Sequence, residues 1–254
     1  MRLIRAVLAL ALVVGMGVPA AAQTSGTFKF TSGTPYAPQP TLSVSSGVAS
    51  RTGTFYTSIY RGQFLSGVPG NPTVDIFCVD FFHNANTSST GYSAWFTPLS
   101  AVDFSRTYGV SQRGWSPGIA EQRYRAAAWL ATQFSPTDAN RAANWPRYQA
   151  AMWSLMGQTT TGFELDGSVG LASKFNLGGF SDPFKTSAQG DLQTALDNAS
   201  TIDGDSWTIV SAASGNSQEF LVQQSVVPEP ETVILLVTGL LALGAVAYFR
   251  GISA

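Results

Sequence analysis

The sequence predicts an α+β, mainly β domain: an antiparallel, sandwich-like sheet with an inserted helical unit, flanked by a cleaved signal peptide and a C-terminal transmembrane helix. Three observations carry this prediction. Aromatic and β-branched runs dominate the first half of the chain and return near its end, apolar residues recur at helical spacing between them, and both chain ends are apolar without either period.

At the N-terminus, Arg2 and Arg5 precede the apolar run 6–18, and Ala20-Ala21-Ala22 supplies an Ala-x-Ala site. A basic start, a short apolar stretch and small residues at the cut describe a secretory signal peptide, residues 1–22, cleaved after Ala22. The working region is 23–226, with a Ser/Thr/Gly/Pro-rich opening to about residue 54 that suits short irregular strands. Residues 54–65 are β-type, and Pro69-Gly70-Asn71-Pro72 turns the chain into a second run, 73–82. There Val74, Ile76 and Cys78 share one face while Phe77, Val79 and Phe81 share the other, so the strand should be covered on both sides.

The spacing then becomes helical. Ser116-Pro117 with Glu121 starts a helix near 117–134. Asn144-Trp145-Pro146 is read as the start of a second, 146–156, closed by Gly157 and apolar nearly all round. Gln149 falls in its first turn, and a buried Gln needs a partner. A third helix is expected near 187–199, followed by strands 206–211 and 218–223.

Composition narrows the function. The chain has 254 residues, 14 Lys+Arg against 15 Asp+Glu, one His and one Cys. A near-neutral charge offers no field for phosphate backbones, so nucleic acid is not an expected partner. One His and one Cys make neither an internal disulfide nor a His/Cys zinc site, and the acidic residues form no calcium loop; no metal and no cofactor are expected.

The C-terminal segment 227–254 has its own order: Val227-Pro228-Glu229-Pro230, an uncharged run over 233–249 with Gly239-Leu240, then Arg250. The run would extend about 25 Å as a helix, with Tyr248 and Arg250 as interfacial anchors. This arrangement resembles the PEP-CTERM sorting signal of exported bacterial proteins. The resemblance implies transient residence in the inner membrane, after the export machinery and signal peptidase, then recognition by an exosortase-type membrane protease. Delivery to the cell surface or extracellular matrix follows from it. The family usually ends in several basic residues, whereas Arg250 stands alone. The alternative is an ordinary anchor that stays attached.

A lone Cys in an exported protein is inert, masked or used. Phe77-Cys78-Val79-Asp80 and Tyr148-Gln149-Ala150-Ala151-Met152-Trp153 resemble two motifs of the internal thioester domains of bacterial surface adhesins. Gln149, Ala151 and Trp153 keep the family's types, while Tyr148 and Met152 depart from them. The resemblance implies a bond between Cys78 and the side-chain carbonyl of Gln149, and covalent capture of an amine-bearing partner. Apolar surroundings suit a group that water hydrolyses, and a Gln in a first helical turn lies near unpaired N–H donors.

Two other readings stand beside it. Cys78 is also an ordinary buried cysteine in a passive surface scaffold. Trp95, Trp115, Trp145 and Trp207 would serve a carbohydrate-binding module that recognises surface polysaccharide. A hydrolase built from Cys78, Asp80 and His83 is disfavoured, because the three crowd one strand end. The expectation is a non-enzymatic, surface-sorted adhesive or structural protein.

Overall fold

The computed structural model describes residues 22–32, 36–157, 175–224 and 238–239. The signal-peptide residues 1–21, the sorting motif Val227–Pro230, and Tyr248 and Arg250 lie outside them. The chain divides into two units, Met1–Gln224 and Ser225–Ala254. Of the second unit only residues 238–239 are described, in helical conformation. Among the described residues no helix is long and apolar enough to cross a membrane.

The first unit is built on a closed six-stranded antiparallel barrel rather than a sandwich. Its strands are β1 (Thr24–Ser32), β4 (Tyr60–Phe64), β5 (Thr73–Cys78), β6 (Tyr92–Pro98), β7 (Trp207–Ala212) and β8 (Phe220–Gln223). Around the barrel the order is β1-β4-β5-β8-β7-β6, and β6 pairs back onto β1. A separate hairpin joins β2 (Thr41–Val44) to β3 (Gly53–Tyr56). Closure leaves the barrel itself without an edge strand. The predicted 54–65 strand is broken at Thr57–Ile59, and the opening supplies the nine-residue β1 as well as the short strand β2.

Register explains the two-faced β5. Ile76 pairs with Val222 and Cys78 with Phe220, which in turn pairs with Val210. These residues join Phe28, Phe64 and Phe96 in the barrel interior. Phe77 pairs with Leu221 and packs with Ile209 and Trp207 in a second core, against the helices. Both faces of β5 are therefore buried, as its sequence requires.

The helical insert comprises α1 (Tyr108–Ser111), α2 (Pro117–Thr132), α3 (Arg141–Gly157) and α4 (Asp182–Asp197). Helix α2 starts at Pro117 as read from sequence. Helix α3 starts five residues before Pro146, so the proline lies inside it. Asp138 organises the earlier start: its carboxylate accepts Asn140 N–H at 2.8 Å and Asn144 Nδ2 at 2.8 Å. Pro146, the sixth residue of the helix, forgoes the backbone bond to the residue four positions back. Gln149 is consequently the ninth residue of α3, away from the unpaired N–H groups of the first turn. Helix α4 likewise begins earlier than expected, with Pro183 in its first turn.

Candidate functional site

Cys78 ends β5 and is buried, 2% exposed. Its sulfur donates weakly to the Asp80 carbonyl at 3.4 Å and accepts the indole N–H of Trp153 at 3.3 Å. A third neighbour is closer: the side-chain amide nitrogen of Gln218 lies 2.5 Å from Sγ and donates to the Asp80 carbonyl at 2.8 Å. That carbonyl, an acceptor only, fixes which end of the Gln218 amide faces it. Gln149 reaches Cys78 differently. Its Nε2 donates to the main-chain carbonyl of Cys78 at 2.6 Å. The structure therefore joins Cys78 and Gln149 through the backbone, and puts Gln218 at the sulfur.

Aromatic rings wall this point. Phe81 packs 4.8 Å from Trp153 and 4.9 Å from both Phe55 and Phe175. Burial pushes the Cys78 thiol up to about 12, against the smaller opposite effect of the Trp153 N–H. The free cysteine is thus a neutral thiol at physiological pH. Gln218 is half-buried, in contrast to the buried Cys78.

The turn after β5 grips Gln218 twice. Asp80 holds its side chain, and the Asn84 carbonyl accepts its backbone N–H at 2.9 Å. Within this turn the fully buried Asp80 carboxylate accepts Phe82 N–H at 3.1 Å, His83 Nδ1 at 2.5 Å and Arg113 Nη2 at 3.4 Å. The Asp80 hydrogen bond raises the His83 imidazole above its ordinary value. Next to Gln218, buried Glu219 accepts from Tyr108 N–H at 2.8 Å, Tyr124 hydroxyl at 2.5 Å and Ser211 hydroxyl at 2.5 Å. Burial raises its carboxyl above the usual carboxylate range.

Of the candidate sugar-binding tryptophans, Trp115, Trp145 and Trp207 are core residues. Trp95 is half-buried beneath Arg106 at 4.7 Å. They form no common aromatic face. No cluster of three or more His, Cys, Asp or Glu suited to a metal occurs among the described residues. The sequence signal for Gln218 was faint: a polar residue opening an apolar run, next to a buried acid.

Together these contacts define a barrel domain with a helical layer, in which one buried cysteine meets a glutamine amide. No protein-family model and no curated protein matches the chain. Among solved structures it is similar to the N-terminal thioester domain of fibronectin-binding protein SfbI from Streptococcus pyogenes. That likeness has a TM-score of 0.36 at 8% identity, covering 82% of this chain and 96% of that one. It is also similar to the N-terminal thioester domain of a surface protein from Clostridium perfringens, with a TM-score of 0.32 at 10% identity, covering 66% and 89%. At these TM-scores neither likeness assigns a function to this chain.

Proposed function

We propose that residues 23–226 form a surface adhesion domain in which Cys78 and Gln218 join as an internal thioester that captures amine-bearing partners. The observation that carries this reading is the Gln218 amide at 2.5 Å from Cys78 Sγ, in a pocket walled by aromatic rings. Contact of this kind replaces a bimolecular encounter with a positioned one.

In bond formation, Sγ attacks the Gln218 side-chain carbonyl carbon, the C–N bond breaks, and ammonia leaves with the thiol proton. In capture, an amine nitrogen bonds to the same carbon, the C–S bond breaks and the sulfur regains a proton as a thiol. The Trp153 N–H at the sulfur stabilises negative charge as it leaves. Gln149 has a supporting role, anchoring the end of β5 to α3 through the Cys78 carbonyl. Each domain reacts once, so the protein is not an enzyme in the turnover sense.

The end segments complete the reading: export with cleavage after Ala22, transient inner-membrane anchoring, then exosortase-type processing at Val227-Pro228-Glu229-Pro230 and display at the surface. The partner presents a primary amine, such as a lysine on another protein.

Intact mass of the exported protein tests the bond. The expected result is a mass lower by one ammonia, restored in Cys78→Ala and Gln218→Ala and still lowered in Gln149→Ala. Restoration in Gln149→Ala with Gln218→Ala unchanged would assign the acyl group to Gln149. Full calculated mass in the unsubstituted protein would leave a passive scaffold.

A further inference from the structure

Asp80, whose carbonyl meets both Cys78 and Gln218, also binds His83 through its carboxylate, and the capture step above leaves that imidazole unused. His83 is the chain's single histidine. Its Nδ1 is committed to Asp80 Oδ2 at 2.5 Å, and among the described residues Nε2 makes no hydrogen bond. The side chain is 28% exposed, in contrast to the fully buried Asp80. In the chain His83 lies between the two residues whose carbonyls hold Gln218: Asp80 takes its side-chain amide at 2.8 Å, Asn84 its backbone N–H at 2.9 Å. The turn is itself pinned from outside, because Arg51 donates to the carbonyls of Phe81 at 3.1 Å and His83 at 3.3 Å. A partly exposed imidazole, oriented by a buried carboxylate, thus belongs to the turn whose carbonyls hold the half-buried glutamine.

We infer that His83, oriented by Asp80, is the proton acceptor for the amine that attacks the Gln218 acyl carbon. The inference rests on the thioester reading. As the amine nitrogen bonds to the carbonyl carbon, one of its protons passes to His83 Nε2. The imidazolium gives that proton up as the C–S bond breaks and Cys78 regains its thiol, so His83 ends unchanged. Only the neutral imidazole can serve.

The charged and titratable groups around the ring are Asp80 on its own turn, Arg113 after α1, Glu219 before β8, and the Tyr108 ring of α1 at 5.4 Å. Asp80 and Glu219 favour the protonated ring and Arg113 opposes it. Capture is therefore half-maximal above pH 6.5, the ordinary imidazole value, and falls as the medium is acidified through that point.

The experiment follows methoxyamine incorporation into the exported protein by intact mass as a function of pH. Methoxyamine is already unprotonated across this range, so its own titration does not enter. The unsubstituted protein should start one ammonia light, and its capture rate should rise through a single titration above pH 6.5 and level off. His83→Gln should also start one ammonia light, capture about 10²-fold more slowly at the plateau, and lose the titration. Equal rates in the two proteins would overturn the assignment, and so would a titration that persists in His83→Gln, which would belong to Glu219. If His83→Gln does not fold, a flat profile in the unsubstituted protein overturns it. If that protein has its full calculated mass, the thioester reading itself fails and this inference falls with it.

Discussion

Three side-chain donors meet at Cys78, and each has a different target: Trp153 and Gln218 reach the sulfur, while Gln149 reaches the carbonyl. Removing Gln149 leaves a buried carbonyl unpaired, so Gln149→Ala should cost about 1–3 kcal/mol, read as a lower denaturation midpoint. Removing Gln218 frees the thiol. With that thiol pushed from about 9 to about 12, iodoacetamide should label folded Gln218→Ala at pH 8 about 10³-fold more slowly than the same chain unfolded. Equal rates would mean the thiol is neither buried nor raised. Sequence exposed one half of this chemistry. Alternation along 73–82 marked Cys78 as buried, and the apolar faces around Gln149 marked it as a glutamine in need of a partner. Gln218 escaped notice because it stands before its strand, half-exposed, with nothing local to show what it touches.

At the scale of elements, β8 couples the site to the helical layer. Glu219 follows Gln218 and ties α1, α2 and β7 together through three hydrogen bonds. Glu219→Ala leaves three buried donors without acceptors and should cost about 3 kcal/mol at roughly 1 kcal/mol each, measured by chemical denaturation. Strand β4 has the opposite requirement, space. A Cβ on Gly62 would stand 2.3 Å from the Phe28 ring and 3.0 Å from Ile76. Gly62→Val should therefore destabilise the barrel by about 1–3 kcal/mol, and an unchanged midpoint would show that the interior repacks freely. Helix α2 was legible because Ser116, Pro117 and its apolar spacing agree. Helix α3 was misjudged at its start because Pro146 resembles a first-turn proline, while the residue organising that end is Asp138, eight positions earlier. Strand β6 was missed altogether; Ala94 and Phe96 face inward, and a small inward residue weakens the alternation that reveals a strand.

For the whole molecule, barrel closure is what makes the site. Cys78 and Gln218 are 140 positions apart, and they meet because β5 pairs with β8. A sandwich-like reading of the same strands gives no reason for that pairing, so the sequence held both residues without their juxtaposition. The pH response also belongs at this scale. His83 is raised in the folded state, so its contribution to stability is complete below pH 6.5 and is lost as the pH rises through its folded value. The stability difference between the unsubstituted protein and His83→Gln should therefore shrink on going from pH 6 to pH 9 in paired denaturation curves. A growing difference would contradict the Asp80–His83 hydrogen bond. The most direct test of the central claim is peptide mapping after methylamine treatment of the exported protein. Methylamine on the Gln218 side chain, together with a newly alkylatable Cys78, is the predicted result; no adduct, or an adduct on Gln149, would contradict it.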